Sequence, residues 1–244
     1  MILEVCCGSV DDTILAEKLG AHRVEFTTSM SLGGLTPSYG MYKRAKELVK
    51  IPLMVMVRPR ESGYYYSDEE IEVMIMDAKH FAENGAEGIV FGILNDDGTV
   101  NKAACKRVMD VIGDSEAVFH RAFDVVPDPF EAMEDLIELG FKRILTKGQA
   151  NTLEEGQNLL NKLIEAVDGR IEFISGGVRK HNLEWIKNEI KPSQIHIGAF
   201  TTNEDPTIAN NPKIAFGSKG TSGEELYQVV DPDGLKEIID YFKK

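Results

Sequence analysis

Eight short runs of apolar, β-branched residues alternate along the chain with amphipathic segments of about ten to eighteen residues, and this alternation restricts the fold more than any other feature. The runs begin at Ile2, Arg23, Leu53, Gly88, Ala117, Arg143, Ile171 and Gln194. A helix between successive strands is the crossover that parallel pairing requires, so the pattern predicts a parallel sheet. Helical punctuation supports the spacing. One helix is read from Asp11 to Leu19, stopping at Gly20, and a second from Ser38 to Lys50, stopping before Pro52. A third opens on the capping box Ser67-Asp68-Glu69-Glu70 and closes at Asn84-Gly85. Others run from Pro129 to Leu139 before Gly140, and from Thr152 to Val167 with Thr152 and Glu155 in capping-box spacing. Gly20, Gly85, Gly140 and Gly169 each stand where a left-handed cap turns a helix into the next strand. Eight such units in 244 residues, without a Pro/Gly/Ser linker, predict a single α/β domain over 1–244: a (β/α)8 barrel of the TIM type. A doubly wound open sheet would carry a glycine-rich phosphate fingerprint after its first strand, and Cys7-Gly8-Ser9 is not one. The long stretch from Phe200 to Val230, containing Asn210-Asn211-Pro212 and the glycine-rich run Gly217 to Gly223, reads as an irregular loop after strand eight. A lid over a site and a mobile insert both suit it.

Composition narrows the function classes. The opening Met1-Ile2-Leu3-Glu4-Val5 lacks a basic export signal, and no apolar run reaches the length of a membrane span. Three cysteines, two of them adjacent, make no disulfide framework; together these features predict a cytoplasmic protein. A net charge of −13 argues against nucleic acid as a partner and leaves a small molecule as the expected one.

Strand parity then places side chains. Leu3 and Val5, Val24 and Phe26, Leu53, Val55 and Val57, Ala117 and Phe119, and Ile195 and Ile197 suit the helix layer. Their neighbours Glu4, Cys6, Arg23, Glu25, Met54, Met56, Arg58, His120 and His196 are thereby turned into the lumen, which in an ordinary barrel is filled with Val, Ile and Leu. Each buried ion costs several kcal/mol unless well paired, so a ring of them predicts a site rather than packing.

As catalytic groups, Glu4 and Glu25 on neighbouring strands suit divided acid and base roles, and His120 suits proton transfer near neutral pH. Asp124 is either a fourth member or the cap of the helix after Pro127. For binding an anion such as a sugar phosphate or sugar acid, the candidates are Arg23, Arg58, Arg60, Gln149, Gly176, Gly177 and His196. Arg58 and Arg60 bracket Pro59, which stiffens the exit of strand three; guanidinium forks suit carboxylate or phosphate. In the ligand-free protein Arg58 is expected to pair with Glu4 or Glu25. Gly176-Gly177 lies where barrels commonly bind phosphate through backbone N–H groups. Lys147 either adds a contact or is simply solvated, and parity sends Arg121 towards the helices. Gly33-Gly34-Leu35-Thr36-Pro37 reads as a tight loop with Thr36 or Ser38 capping the next helix, and Tyr64-Tyr65-Tyr66 as exposed aromatics in the loop after strand three.

The strings Leu3-Glu4-Val5-Cys6-Cys7, Arg23-Val24-Glu25, Gly33-Gly34-Leu35-Thr36-Pro37-Ser38 and Val57-Arg58-Pro59-Arg60 resemble the CutC family. So do Phe119-His120-Arg121-Ala122-Phe123-Asp124, Leu145-Thr146-Lys147-Gly148-Gln149 and Ser175-Gly176-Gly177-Val178. The resemblance implies a barrel of this type, a cytoplasmic location, an assignment to copper homeostasis and a homodimer; no reaction follows from it. The chain departs from the family pattern after the strand-two acid, where Phe26-Thr27-Thr28 stands in place of a frequent cysteine, and at the end of strand eight. Two functions follow: an enzyme acting on a small anionic substrate by acid/base chemistry, or a copper-binding protein. Cu(I) prefers thiolate and thioether, which selects Cys6 as its ligand, with Met54 and Met56 sharing the inward parity and His120 or His196 assisting. Cys7 points to the opposite face, and Cys105 reads as a helix filler.

Overall fold

The computed structural model describes residues 1–243 apart from 191, 212 and 217–224. Eight parallel strands close a barrel in sequence order, with β1 pairing both β2 and β8. They are β1 (Ile2–Cys7), β2 (Arg23–Phe26), β3 (Leu53–Met56), β4 (Gly88–Phe91), β5 (Glu116–Phe119), β6 (Arg143–Thr146), β7 (Glu172–Val178) and β8 (Gln194–Ile197). The intervening helices are α1 (Val10–Leu19), α2 (Tyr39–Leu48), α3 (Asp68–Glu83), α4 (Lys102–Met109), α5 (Pro129–Leu139) and α6 (Leu153–Val167). The short α7 (Leu183–Trp185) follows, continued by a π turn over Ile186–Ile190. The closing helix α8 spans Pro232–Lys243. The strand starts match the sequence reading except that β5 and β7 begin one residue away from the expected positions.

Local signals explain the helix ends. Ser67 and Glu70 form the expected capping box, as do Thr152 and Glu155. Gly20, Gly85, Gly140 and Gly169 all hold positive φ. Of the two hydroxyls offered as the cap of α2, Ser38 accepts from Met41 N, whereas Thr36 accepts from Arg58 N at 2.9 Å. Outward strand residues build one continuous core with the helices, containing Leu3, Val5, Val24, Phe26, Leu53, Val55, Phe91, Phe119, Ile195 and Ile197. A separate apolar layer of Met54, Met56, Val90, Val118, Leu145 and Ile174 fills the middle of the lumen. Each such side chain contributes about 1.5–3 kcal/mol of burial, which leaves the charged residues above and below as deliberate exceptions.

The stretch after β8 is not the irregular loop expected. Phe200–Glu204 (β9) and Leu226–Val230 (β10) pair antiparallel, from Phe200↔Val230 to Glu204↔Leu226. Each segment carries a β-branched pair, Thr201-Thr202 and Val229-Val230, but neither alternates, and the Asn, Gly and Pro residues between them mask the signal further. Asp12 ties the ribbon to the barrel, accepting from Val230 N at 2.9 Å and Gly8 N at 3.2 Å. The glycine-rich run Gly217–Gly223 and Pro212 lie outside the described residues. Among the described residues no helix is long and apolar enough to cross a membrane.

Candidate functional site

A cavity of about 250 Å³ opens at the C-terminal ends of the strands. Its floor carries Cys6, Glu25, Met56 and Leu145; one side carries Arg58, Tyr64 and His120; the other carries Met30, His196, Gly198 and Phe200. Arg121, Lys147 and Arg179, with Gly176 and Gly177, complete the wall. Six of the residues that strand parity turned inward therefore meet here directly, Cys6, Glu25, Met56, Arg58, His120 and His196, together with the glycine pair.

Hydrogen bonds link this floor to the barrel interior. Glu4 is buried just beneath it and accepts from His196 Nδ1 at 2.9 Å and from Arg23 Nε at 2.5 Å. Burial alone pushes the Glu4 carboxyl up, but the His196 hydrogen bond and the Arg23 charge hold it at about 2. Glu4 thereby fixes the His196 ring, whose Nε2 faces Glu25 Oε2 at 3.7 Å. Burial opposes a proton on His196, yet Glu25 and Glu4 outweigh it and raise its pKa. For Glu25, burial and the nearby Glu4 raise the pKa against the pull of His196. The result is a buried row of Glu4, His196 and Glu25 ending in the cavity, with a hydrogen bond at the Glu4 end and a 3.7 Å ion-pair contact at the Glu25 end. Cys6 donates its thiol to Glu25 Oε2 at 3.3 Å and lies 3.8 Å from Met30 Sδ. Burial and the Glu25 charge push that thiol well above its ordinary range.

His120 differs from expectation. Its Nδ1 accepts from Ala122 N, its Nε2 has no partner among the described residues, and its ring lies against Tyr64 with centroids 4.8 Å apart. Burial and the Arg58 charge push its pKa down to about 3, so it is a neutral N–H donor at physiological pH rather than a group titrating near neutrality. Gly92 makes room for it: a Cβ there would stand 2.7 Å from His120 Cε1.

Arg58 does not pair with Glu4 or Glu25. It donates to the carbonyls of Leu32, Gly34 and Ser62, clamping the loops after β2 and β3 and bringing an uncompensated cation to the cavity wall. The tight turn at Gly33 and Gly34, both at positive φ, supplies two of those carbonyls or their neighbours. Arg23 does not reach this cavity: it sits at the opposite end of the lumen, bound to Glu4 and to Gln194 Oε1. Arg60 pairs with Glu70 and the Tyr65 carbonyl outside the cavity, because Pro59 and the loop beyond it end the strand alternation. Gln149 donates to the Val126 carbonyl and does not reach the site. Asp124 does not line the cavity and is not the helix cap. Its Oδ1 accepts from Thr146 Oγ1, Lys147 N and Gln149 N, stapling the β5 and β6 loops, and Asp128 caps α5 instead. Tyr64 lines the cavity, Tyr65 is exposed and Tyr66 is buried, so the three tyrosines do not act together.

Sequence reasoning missed Arg179, Met30 and Phe200 and turned Arg121 the wrong way, and of the two readings left open for Lys147 the cavity position is the one observed. Arg121 begins a 3₁₀ turn (Arg121–Val125), so it swings to the cavity and pairs with Asp124 at 2.7 Å. Arg179 and Lys147 lie just past β7 and β6, where alternation carries no information. Arg143 was also missed: it is buried at the lower end of the lumen beside Glu116 and Glu172, and the alternation of β6 points to it. Met54, offered as a copper ligand, lies beside Arg143 Nη2 and away from Cys6, whose thioether neighbour is Met30.

The CutC family model matches residues 1–201. The family protein CutC of Treponema denticola is 42% identical over 238 residues, 97% of each chain. The human copper homeostasis protein cutC homolog is 39% identical over 238 residues, covering 97% of this chain and 87% of the human one. A crystal structure of CutC from Streptococcus agalactiae superposes with a TM-score of 0.77 and 32% identity, covering 80% of this chain and 97% of that one.

Proposed function

Because the chain belongs to the CutC family, and copper homeostasis specifies no reaction, we propose from the site itself that it is an enzyme acting on a small molecule bearing a phosphate or carboxylate. One observation carries this reading: Arg121, Lys147, Arg179 and Arg58 converge on one cavity in a chain of net charge −13. Among the described residues only Arg121 of these four has a carboxylate partner. Cations gathered against the overall field are stabilised by an anion. A cavity of about 250 Å³ suits a metabolite of a few carbons. The anionic group lies against the rim cations, and the reacting end faces Glu25 and His196, with Glu4 orienting the imidazole and His120 donating from Nε2. Glu25 and His196 exchange protons with the ligand; Tyr64 and Phe200 limit water. Thermal shift with inorganic phosphate, glycerol 3-phosphate and lactate tests it. At a hundredfold excess over its dissociation constant a ligand adds about 2.7 kcal/mol to stability, and the Arg121→Ala/Arg179→Ala variant should lose that gain. Equal responses from both proteins, or none from the native chain, would defeat the reading.

A second reading has its own observation. Cys6 Sγ, His196 Nε2 and a Glu25 oxygen lie within 4.8 Å of one another, with Met30 Sδ beside the thiol. Thiolate, thioether and imidazole suit Cu(I), and Glu4 behind His196 is the outer carboxylate that metal-binding histidines usually have. The human relative's name points the same way. In this reading Cys6, Met30 and His196 hold copper as cargo, and Cys6 must release a proton on binding. Chelator competition for Cu(I) should show tight one-to-one binding that weakens as pH falls and is abolished in Cys6→Ser. Retention of affinity in Cys6→Ser would exclude it.

A further inference from the structure

Lys147 offers chemistry beyond its charge. Its stem lies over Gly176 and Gly177: a Cβ on Gly176 would stand 3.5 Å from Lys147 Cγ, and one on Gly177 3.4 Å from Lys147 Cε. Gly177 has φ +82°, which disfavours any side chain there and keeps this bed clear. The glycine pair that reads in sequence as a phosphate loop thus supports a lysine. The amine donates to Asn151 O at 3.0 Å, and no described carboxylate lies within ion-pair distance of it. Its charged neighbours include Arg121 and Arg179, with Asp124 and Glu154 as the nearest acids; burial and the two arginines outweigh the acids and lower its pKa. An amine held against other cations in a partly apolar cavity has a larger neutral fraction than a surface lysine, and the neutral form is the nucleophile.

We propose that Lys147 forms a Schiff base with a small aldehyde or ketone that also carries a carboxylate or phosphate. This rests on the anionic-ligand reading and adds the carbonyl. The neutral Nζ adds to the carbonyl carbon; a C–N bond forms as the π pair moves to oxygen, and a proton passes from nitrogen to that oxygen. The resulting hydroxyl takes a second proton from the His196–Glu25 pair and leaves as water, while the nitrogen lone pair forms the C=N bond. The nitrogen keeps its remaining hydrogen as an iminium ion, so no oxidant or reductant is consumed. Leu145, Tyr64 and Phe200 line the same cavity and slow the return of water.

Reductive trapping tests this on the full chain. Native protein is incubated with pyruvate or dihydroxyacetone phosphate, treated with sodium borohydride, and mapped by peptide mass spectrometry. One adduct is expected on Lys147, with the mass of the probe less water plus two hydrogens. It should form faster than on any other lysine, because burial and the two arginines enlarge the neutral fraction of this amine. Lys147→Arg should take no adduct at that position, while the surface lysines label as they do in the native chain. Labelling of Lys147 no faster than that of surface lysines, with both probes, overturns the proposal. If inorganic phosphate, glycerol 3-phosphate and lactate all fail to stabilise the native chain, it is the anionic-ligand reading that falls.

Discussion

Replacing Glu4 by Gln removes the charge that anchors His196 from below while keeping the side chain's shape. Glu4 is 2% exposed and serves both Arg23 Nε and His196 Nδ1. Its carboxyl is held at about 2 against an ordinary 4.5. At about 1.4 kcal/mol per pH unit, that lowering is worth about 3 kcal/mol, in line with the ~3–5 kcal/mol cost of breaking a buried pair. The sign follows from linkage: a carboxyl with a depressed folded pKa stabilises fully above its unfolded value and loses that contribution as pH falls through the folded one. Glu4→Gln should therefore unfold in urea with about 3 kcal/mol less stability at neutral pH. The gap should hold down to pH about 4.5 and narrow towards pH about 2. The His196 pKa, followed by NMR, should fall because the imidazolium has lost a carboxylate partner. A stability loss below about 1 kcal/mol, or a gap that does not narrow in acid, would refute the argument that Glu4 is ionised and holds His196.

Three further changes probe the same architecture. His120 is neutral with its pKa pushed down to about 3, so the unfolded chain takes up a proton that the folded chain refuses. Its contribution is present above pH about 6.5 and is lost as pH falls towards about 3. His120→Gln should flatten the dependence of urea stability on pH by up to about 1.4 kcal/mol per pH unit in that window, and an unchanged slope would contradict a buried neutral ring. Gly92→Ala drives a methyl against His120 and Ala122, so thermal denaturation should show a loss of about 1–3 kcal/mol; wild-type stability would mean the ring moves freely. Cys6→Ser should fold with at most about 1 kcal/mol lost in urea, since one weak hydrogen bond to Glu25 is exchanged for another; a larger loss would make Cys6 structural.

Much of the barrel was legible because its evidence is local. Gly20 and Gly140 end helices by φ alone, Ser67 and Glu70 cap α3 within four residues, and the two-residue period of each strand sorts Leu3 from Glu4 and Val24 from Arg23 without knowledge of any partner. The family strings around Glu25 and His120 pointed to the same end of the same barrel, and the family is now shown by comparison. The inward set Glu4, Cys6, Glu25, Arg58, His120 and His196 is therefore a property of the sequence.

What those side chains do was decided by the tertiary structure. Parity says that Arg23 and Arg58 are both inward, but not that one descends to Gln194 while the other rises to three loop carbonyls. Height along the barrel axis depends on strand register and closure, which no single strand encodes. His120 reads as a titrating group until its burial beside Arg58 is known, because a pKa is set by surroundings drawn from distant segments. Beyond the strand ends the period stops, so Met30, Arg121, Lys147 and Arg179 are brought to the cavity by loops whose paths depend on long-range contacts. The sequence by itself determined the barrel, its inward charges and the end at which they gather. Only closure of the sheet, which sets neighbours across the lumen and aims the loops over it, decided which charges pair, which stay free and which lysine faces the cavity.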